Sequence, residues 1–102
     1  MADAYIVDAV RTAGGRRGGK LAGVHAVDLG AAVLDSIADR NDFDPAAIED
    51  VIMGCVSQGG EQAGDVGRNI VLASRLPNSI PSVSIDRQCG SSQQSMMFAA
   101  QG

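Results

Sequence analysis

Two apolar runs constrain this chain most. Ala4-Tyr5-Ile6-Val7-Asp8-Ala9-Val10 carries a single charge, and Val51-Ile52-Met53-Gly54-Cys55-Val56 carries none. Neither alternates polar with apolar residues, as a strand with one wet face would, so each is predicted as a strand covered on both faces. A third, shorter strand is predicted at Val83-Ser84-Ile85, just after Pro81. Strands covered twice need helices on either side, and the intervening sequence supplies them. Asp28 is placed to cap a helix running to about Arg40, in which Leu29, Val33 and Ile37 recur every four residues. Asp44-Pro45 marks a second, short helix start, with the acid as cap and the proline in the first turn. Val66 to Leu76 reads as a further helix with Ile70, Ala73 and Leu76 on one side, ended by Pro77. After Cys89-Gly90-Ser91-Ser92 the chain turns helical through Gln93 to Ala100. Strand and helix alternate three times, which predicts an α/β fold with helices over a mainly parallel sheet.

The connections are glycine-rich. Arg11 to Gly23 holds Gly14, Gly15, Gly18, Gly19 and Gly23 among basic residues, and Ser57 to Gly67 is a second such loop. Neither has a helical or strand period, so both read as loops. The first lacks the Gly-Lys-Ser/Thr ending of a phosphate-binding loop, and a solvated surface loop is its simpler reading, although Arg16, Arg17 and Lys20 could meet an anion.

Composition sets the outer limits. The 102 residues suit one small domain, 45% of them apolar, and with only Tyr5, Phe43 and Phe98 aromatic the core must come from aliphatic residues and Met. A net charge of −4 gives no pull toward nucleic acid or an anionic membrane surface. No apolar run is long enough to span a bilayer. The start, with Asp3 where a secretory leader would be basic, reads as cytoplasmic. In that compartment Cys55 and Cys89 are expected as free thiols. With one histidine, His25, they do not make a metal site, so no metal is expected.

The last helix bears on how much of a protein this is. Met96, Met97, Phe98, Ala99 and Ala100 fall on most of its sides, and a helix apolar all round is expected to be buried all round. Three strands and the residues up to Gly102 offer little to cover it. The chain is therefore expected to be part of a longer protein, or else to be covered by a second chain.

Cys89 is the residue with the clearest chemistry. It sits between a strand and a helix, directly before Gly90. Such an elbow holds a side chain at the tip of a tight bend, open from one direction. The start of the helix adds unpaired N–H groups and the positive end of the helix dipole, both of which favour a thiolate. The backbone N–H groups of Cys89 and Gly90 can support an oxyanion. From the residues alone, a small buried cysteine at a tight turn remains the alternative.

Asp86-Arg87-Gln88-Cys89-Gly90-Ser91-Ser92-Gln93-Gln94 resembles the acyl-enzyme signature of thiolases. Ala9-Val10-Arg11-Thr12, Asp44-Pro45-Ala46, Asp50 to Gly54, Arg68-Asn69 and Leu76-Pro77 are similar to other thiolase segments in the same order. The departures are Asp86, where Asn or Thr is frequent, and Gln93, where an aliphatic residue is frequent. The resemblance covers the whole chain and implies that residues 1–102 are a partial N-terminal thiolase domain, in a layered αβα fold with a mainly parallel mixed sheet. It implies acyl transfer between coenzyme A thioesters through a Cys89 thioester, by cleavage of 3-ketoacyl-CoA or condensation of acetyl-CoA, with coenzyme A as substrate and no cofactor. Ser91-Ser92-Gln93-Gln94 looks like a subgroup acting on fatty-acyl or steroid-derived chains. The resemblance also implies a histidine and a second cysteine supplied from a C-terminal half. It implies a homodimer or homotetramer, with the second loop and the adjoining Arg68 and Asn69 near the interface.

The other readings are plainer. His25 reads as a surface or hydrogen-bonding loop residue and Cys55 as core. A ketoacyl-synthase-like condensing enzyme and a non-catalytic thiolase fragment are the alternatives for the whole.

Overall fold

The computed structural model describes residues 2–102. Its frame is a parallel pair, β1 (Val51–Gly54) and β2 (Ser82–Ile85), in register from Val51 opposite Ser82 to Gly54 opposite Ile85. The ladder continues at both ends, with Val51 N–H donating to Pro81 O at 3.1 Å and Cys55 N–H to Ile85 O at 2.9 Å. Parallel strands need a crossover, and α2 (Val66–Ala73) provides it. Side chains alternate along β1. Val51, Met53 and Cys55 meet the α2 side, where two small cores form. One gathers Cys55, Val66 and Ile70, the other Val71, Leu76 and Ile80. Leu34 of α1 (Ala26–Arg40) packs against both. Val71 is fully buried, and burying a side chain of that kind contributes about 1.5–3 kcal/mol.

The opposite face of β1 receives α3 (Ser91–Gln101). The approach is so close that a side chain on Gly54 would strike the backbone of Ser91 and Ser92. The order is therefore helices, strands, helix, an α/β layered fold as expected.

Four local expectations change. Residues 4–10 form no ladder, and Tyr5, Ile6 and Val7 are 82%, 75% and 83% exposed. A strand is made by its neighbour, and this segment is held by a side chain instead. Asp8 accepts from Asn41 Nδ2 at 2.7 Å and from Arg40 Nη2 at 3.2 Å. The Asn41 bond foremost, then a bond from the Ala9 N–H and the charge of Arg40, hold the Asp8 carboxyl below the usual carboxylate range. Secondly, α1 is capped by His25, whose Nδ1 accepts from Val27 N–H at 3.1 Å, leaving Asp28 in the first turn. Thirdly, the short helix after Asp44 is one 3₁₀ turn, Pro45–Ala47, with Asp44 as its cap as expected. Fourthly, α2 ends at Ala73, where the Ser74 N–H closes on Ile70 O and Val71 O before Pro77 is reached. The rest of the chain leaves α3 partly uncovered, as expected. Its buried residues are Ser91, Gln94 and Ser95, whereas Met96, Met97 and Phe98 stay 40–54% exposed.

Candidate active site

β2 and α3 are joined by a five-residue elbow, Asp86 to Gly90, that carries Cys89. The bend is built from backbone bonds and three short polar side chains. Gln88 takes a left-handed conformation, φ +47°, uncommon for a residue with a side chain. Its N–H donates to Asp86 Oδ1 at 2.8 Å. The Ser91 hydroxyl reaches back across the bend, accepting from Arg87 N–H at 2.9 Å and donating to Gln88 O at 2.8 Å. One turn on, Ser95 Oγ donates to Ser91 O at 3.1 Å, and the Arg87 guanidinium bonds the Gln94 side-chain oxygen.

This scaffold presents Cys89 outward. Its thiol is free and exposed. Among the described residues its backbone N–H meets no acceptor. Gly90, expected as a second oxyanion donor, instead directs its N–H to Arg87 O at 3.0 Å, because the bend needs that bond to close. Gly90 is also the N-cap of α3 and has no side chain to occupy the first-turn N–H groups. An exposed thiol beside an unpaired N–H and an open helix start can attack a carbonyl and receive the negative charge that forms on its oxygen.

A second network holds the strand that feeds the elbow. Asp65, itself left-handed at φ +60°, caps α2 by accepting from Arg68 N–H, and takes the Ser84 hydroxyl at 2.6 Å. Ser84 Oγ in turn accepts from Gly67 N–H at 2.9 Å. Arg68 donates from Nη1 to Ile80 O at 2.8 Å, and Asn69 donates to Ala63 O and Gly64 O. Both side chains expected near an interface thus have partners within the chain.

The other chemistry-bearing residues lie apart. His25 caps α1 and borders a cleft with Glu61 and Asn69 that Cys89 does not line. Cys55 is buried beneath Val66 and Ile70, its thiol directed to Ser57 O at 3.6 Å. The basic loop is a run of turns, closed by Gly19 N–H on Arg16 O and Ala22 N–H on Gly19 O. Ser91, Gln94 and Ser95, whose bonds brace the elbow, are residues that pattern reading does not single out. Their signal was present: polar residues crowd the first turn of a helix whose remainder is apolar.

Fold and site together define an α/β layered domain that presents a cysteine at a strand-to-helix elbow. The chain belongs to the thiolase family: residues 4–102 match its N-terminal domain. It is 56% identical, over 99% of its length, to a steroid 3-ketoacyl-CoA thiolase of Mycobacterium tuberculosis. It is 45% identical, over 98%, to a β-ketoadipyl-CoA thiolase of Acinetobacter baylyi. The chain spans 25% of each of these relatives. In structure it is similar to the acetyl-CoA acetyltransferase of Bacillus anthracis, with a TM-score of 0.73 and 34% identity, covering 81% of this chain and 21% of that one. No described helix is long and apolar enough to cross a membrane.

Proposed function

We propose that residues 1–102 are the nucleophile-bearing N-terminal part of a thiolase, and that Cys89 carries the acyl group. The observation that carries this is the exposed Cys89 thiol, beside its own N–H, which has no acceptor among the described residues, on an elbow within a thiolase N-terminal domain. The Cys89 thiolate attacks the keto carbon of a 3-ketoacyl-CoA. The bond between C2 and C3 breaks, acetyl-CoA leaves as its carbanion and is protonated, and the acyl group stays on Cys89 as a thioester. The thiolate of a second coenzyme A attacks that thioester and releases an acyl-CoA two carbons shorter. A thioester intermediate suits this exchange because it retains the energy of the thioester cleaved. In reverse, the same steps condense two acetyl-CoA.

The base and acid come from outside this segment, since His25 caps α1 and Cys55 lies in the core. The rest of the enzyme covers the exposed Met96, Met97 and Phe98 of α3. Sequence similarity to a steroid 3-ketoacyl-CoA thiolase favours a bulky acyl chain. The enzyme works in the cytoplasm as a homodimer or homotetramer, with Arg68 and Asn69 near the subunit contact. The test is thiolysis by the intact protein, followed as loss of 3-ketoacyl-CoA in the presence of coenzyme A. Turnover that Cys89→Ser abolishes supports the assignment; turnover that survives the substitution refutes it.

A further inference from the structure

We infer that Ser91 is a positioning residue that aims the Cys89 N–H at the oxyanion, an inference that rests on the reading of Cys89 as an acyl acceptor. The argument starts from the peptide between Gln88 and Cys89. A trans peptide is planar, so its C=O and its N–H point in opposite directions. Wherever the Gln88 carbonyl is pinned, the Cys89 N–H is aimed the other way.

The carbonyl is pinned from α3. The Ser91 hydroxyl donates to it at 2.8 Å, and the Ser91 N–H reaches it at 3.3 Å. The same hydroxyl accepts from Arg87 N–H at 2.9 Å, so one oxygen ties the backbone on both sides of the left-handed Gln88. Ser91 is 6% exposed, so its hydroxyl is largely shielded from water. The Cys89 N–H consequently points away from the first turn of α3 and has no acceptor among the described residues. Without the hydroxyl, the carbonyl keeps only the longer 3.3 Å bond and the Arg87 N–H loses its partner. The strained bend is then free to relax, and the Cys89 N–H turns with it.

Two reagents separate aiming from mere support of the thiol. p-Nitrophenyl acetate acylates a thiolate through a tetrahedral oxyanion, which expels p-nitrophenolate and leaves S-acetyl-cysteine. Iodoacetamide alkylates the same thiolate by displacing iodide, and no oxyanion forms. Both rates are to be measured at Cys89 in the intact protein, with the adduct located by peptide mass. Loss of a whole oxyanion donor costs on the order of 10²–10³ in rate, so the partial loss in Ser91→Ala is expected to slow acetylation about tenfold or more. Alkylation is expected to stay within about twofold, and Ser91→Thr, which keeps the hydroxyl, to restore acetylation. If Ser91→Ala does not fold, Ser91→Cys, of similar size with a weaker donor, is expected to show the same selective loss. Equal slowing of both reactions, or slowing of neither, overturns the inference. Neither reagent contains coenzyme A. Failure of the intact protein to take an acyl group from acyl-CoA would therefore count against the proposed function alone.

Discussion

Each of the two cysteines follows the C-terminal end of a parallel strand, yet their thiols meet opposite surroundings. Cys55 comes directly after β1 and is closed over at once. Gln58 Nε2 donates to its carbonyl at 3.0 Å, Val66 and Ile70 pack on it, and its thiol turns to Ser57 O. Cys89 follows β2 by a short bend that runs straight into α3, and its thiol stays exposed. The type of residue and the preceding strand are the same in both places. What differs is the segment that follows: a glycine-rich loop leading back under α2 buries one thiol, and a left-handed bend closed by Ser91 presents the other.

Exchanging each cysteine gives the largest contrast. Cys89→Ser is expected to lower thiolysis by at least about a thousandfold with little change in stability. Cys55→Ser is expected to leave activity within about twofold and to cost about 1–2 kcal/mol in denaturant unfolding, because it places a hydroxyl among Val66, Ile70 and Met53. The contrast fails if both substitutions abolish activity without unfolding the protein.

Gly54 lies between the two sites, one residue before Cys55 and against the first turn of α3. Gly54→Ala is expected to destabilise by about 2–3 kcal/mol, since backbone rather than a flexible side chain must move. Because that movement displaces Ser91, acylation of Cys89 should slow while Cys55 stays inaccessible to alkylation. An unchanged melting temperature would show that α3 is not seated as described.

Asp65→Ala tests the tie between α2 and β2. Loss of the cap is expected to cost about 1–2 kcal/mol, and the Ser84 hydroxyl loses its acceptor. Hydrogen exchange should rise at Gly67 and Arg68 before it rises at the elbow.

The smallest effect concerns Asp8. Its carboxyl is held below the usual range, so the tie to Asn41 and Arg40 is complete above the ordinary carboxylate pKa of about 3.9 and is lost as pH falls through the lower folded value. An NMR titration of the Asn41 side-chain amide should therefore show its midpoint below about 3.9. A midpoint at or above that value would remove the tie.

Legibility in the sequence followed the range of the interaction. β1, β2, α1 and α2 were readable because apolar periodicity and prolines act locally, and the Cys89 elbow because its residues are adjacent. Residues 4–10 have strand composition, but pairing depends on a neighbour that composition does not specify. Asp28 is the more obvious cap for α1 because acids are the commoner caps, whereas His25 reaches Val27 N–H with a ring nitrogen. That the apolar side of α3 lacks cover within this chain is legible in the sequence, but which side is buried is not. Gln94 and Ser95 are buried by bonds to Arg87 and Ser91, which only the folded bend brings within reach.

The most direct test of the account uses the two thiols as each other's control. The intact protein is incubated with acyl-CoA, quenched in acid, digested and mapped by mass spectrometry. The account predicts an acyl thioester on the peptide containing Cys89 and none on the peptide containing Cys55. Acylation at Cys55, or no acyl group at Cys89, would contradict it.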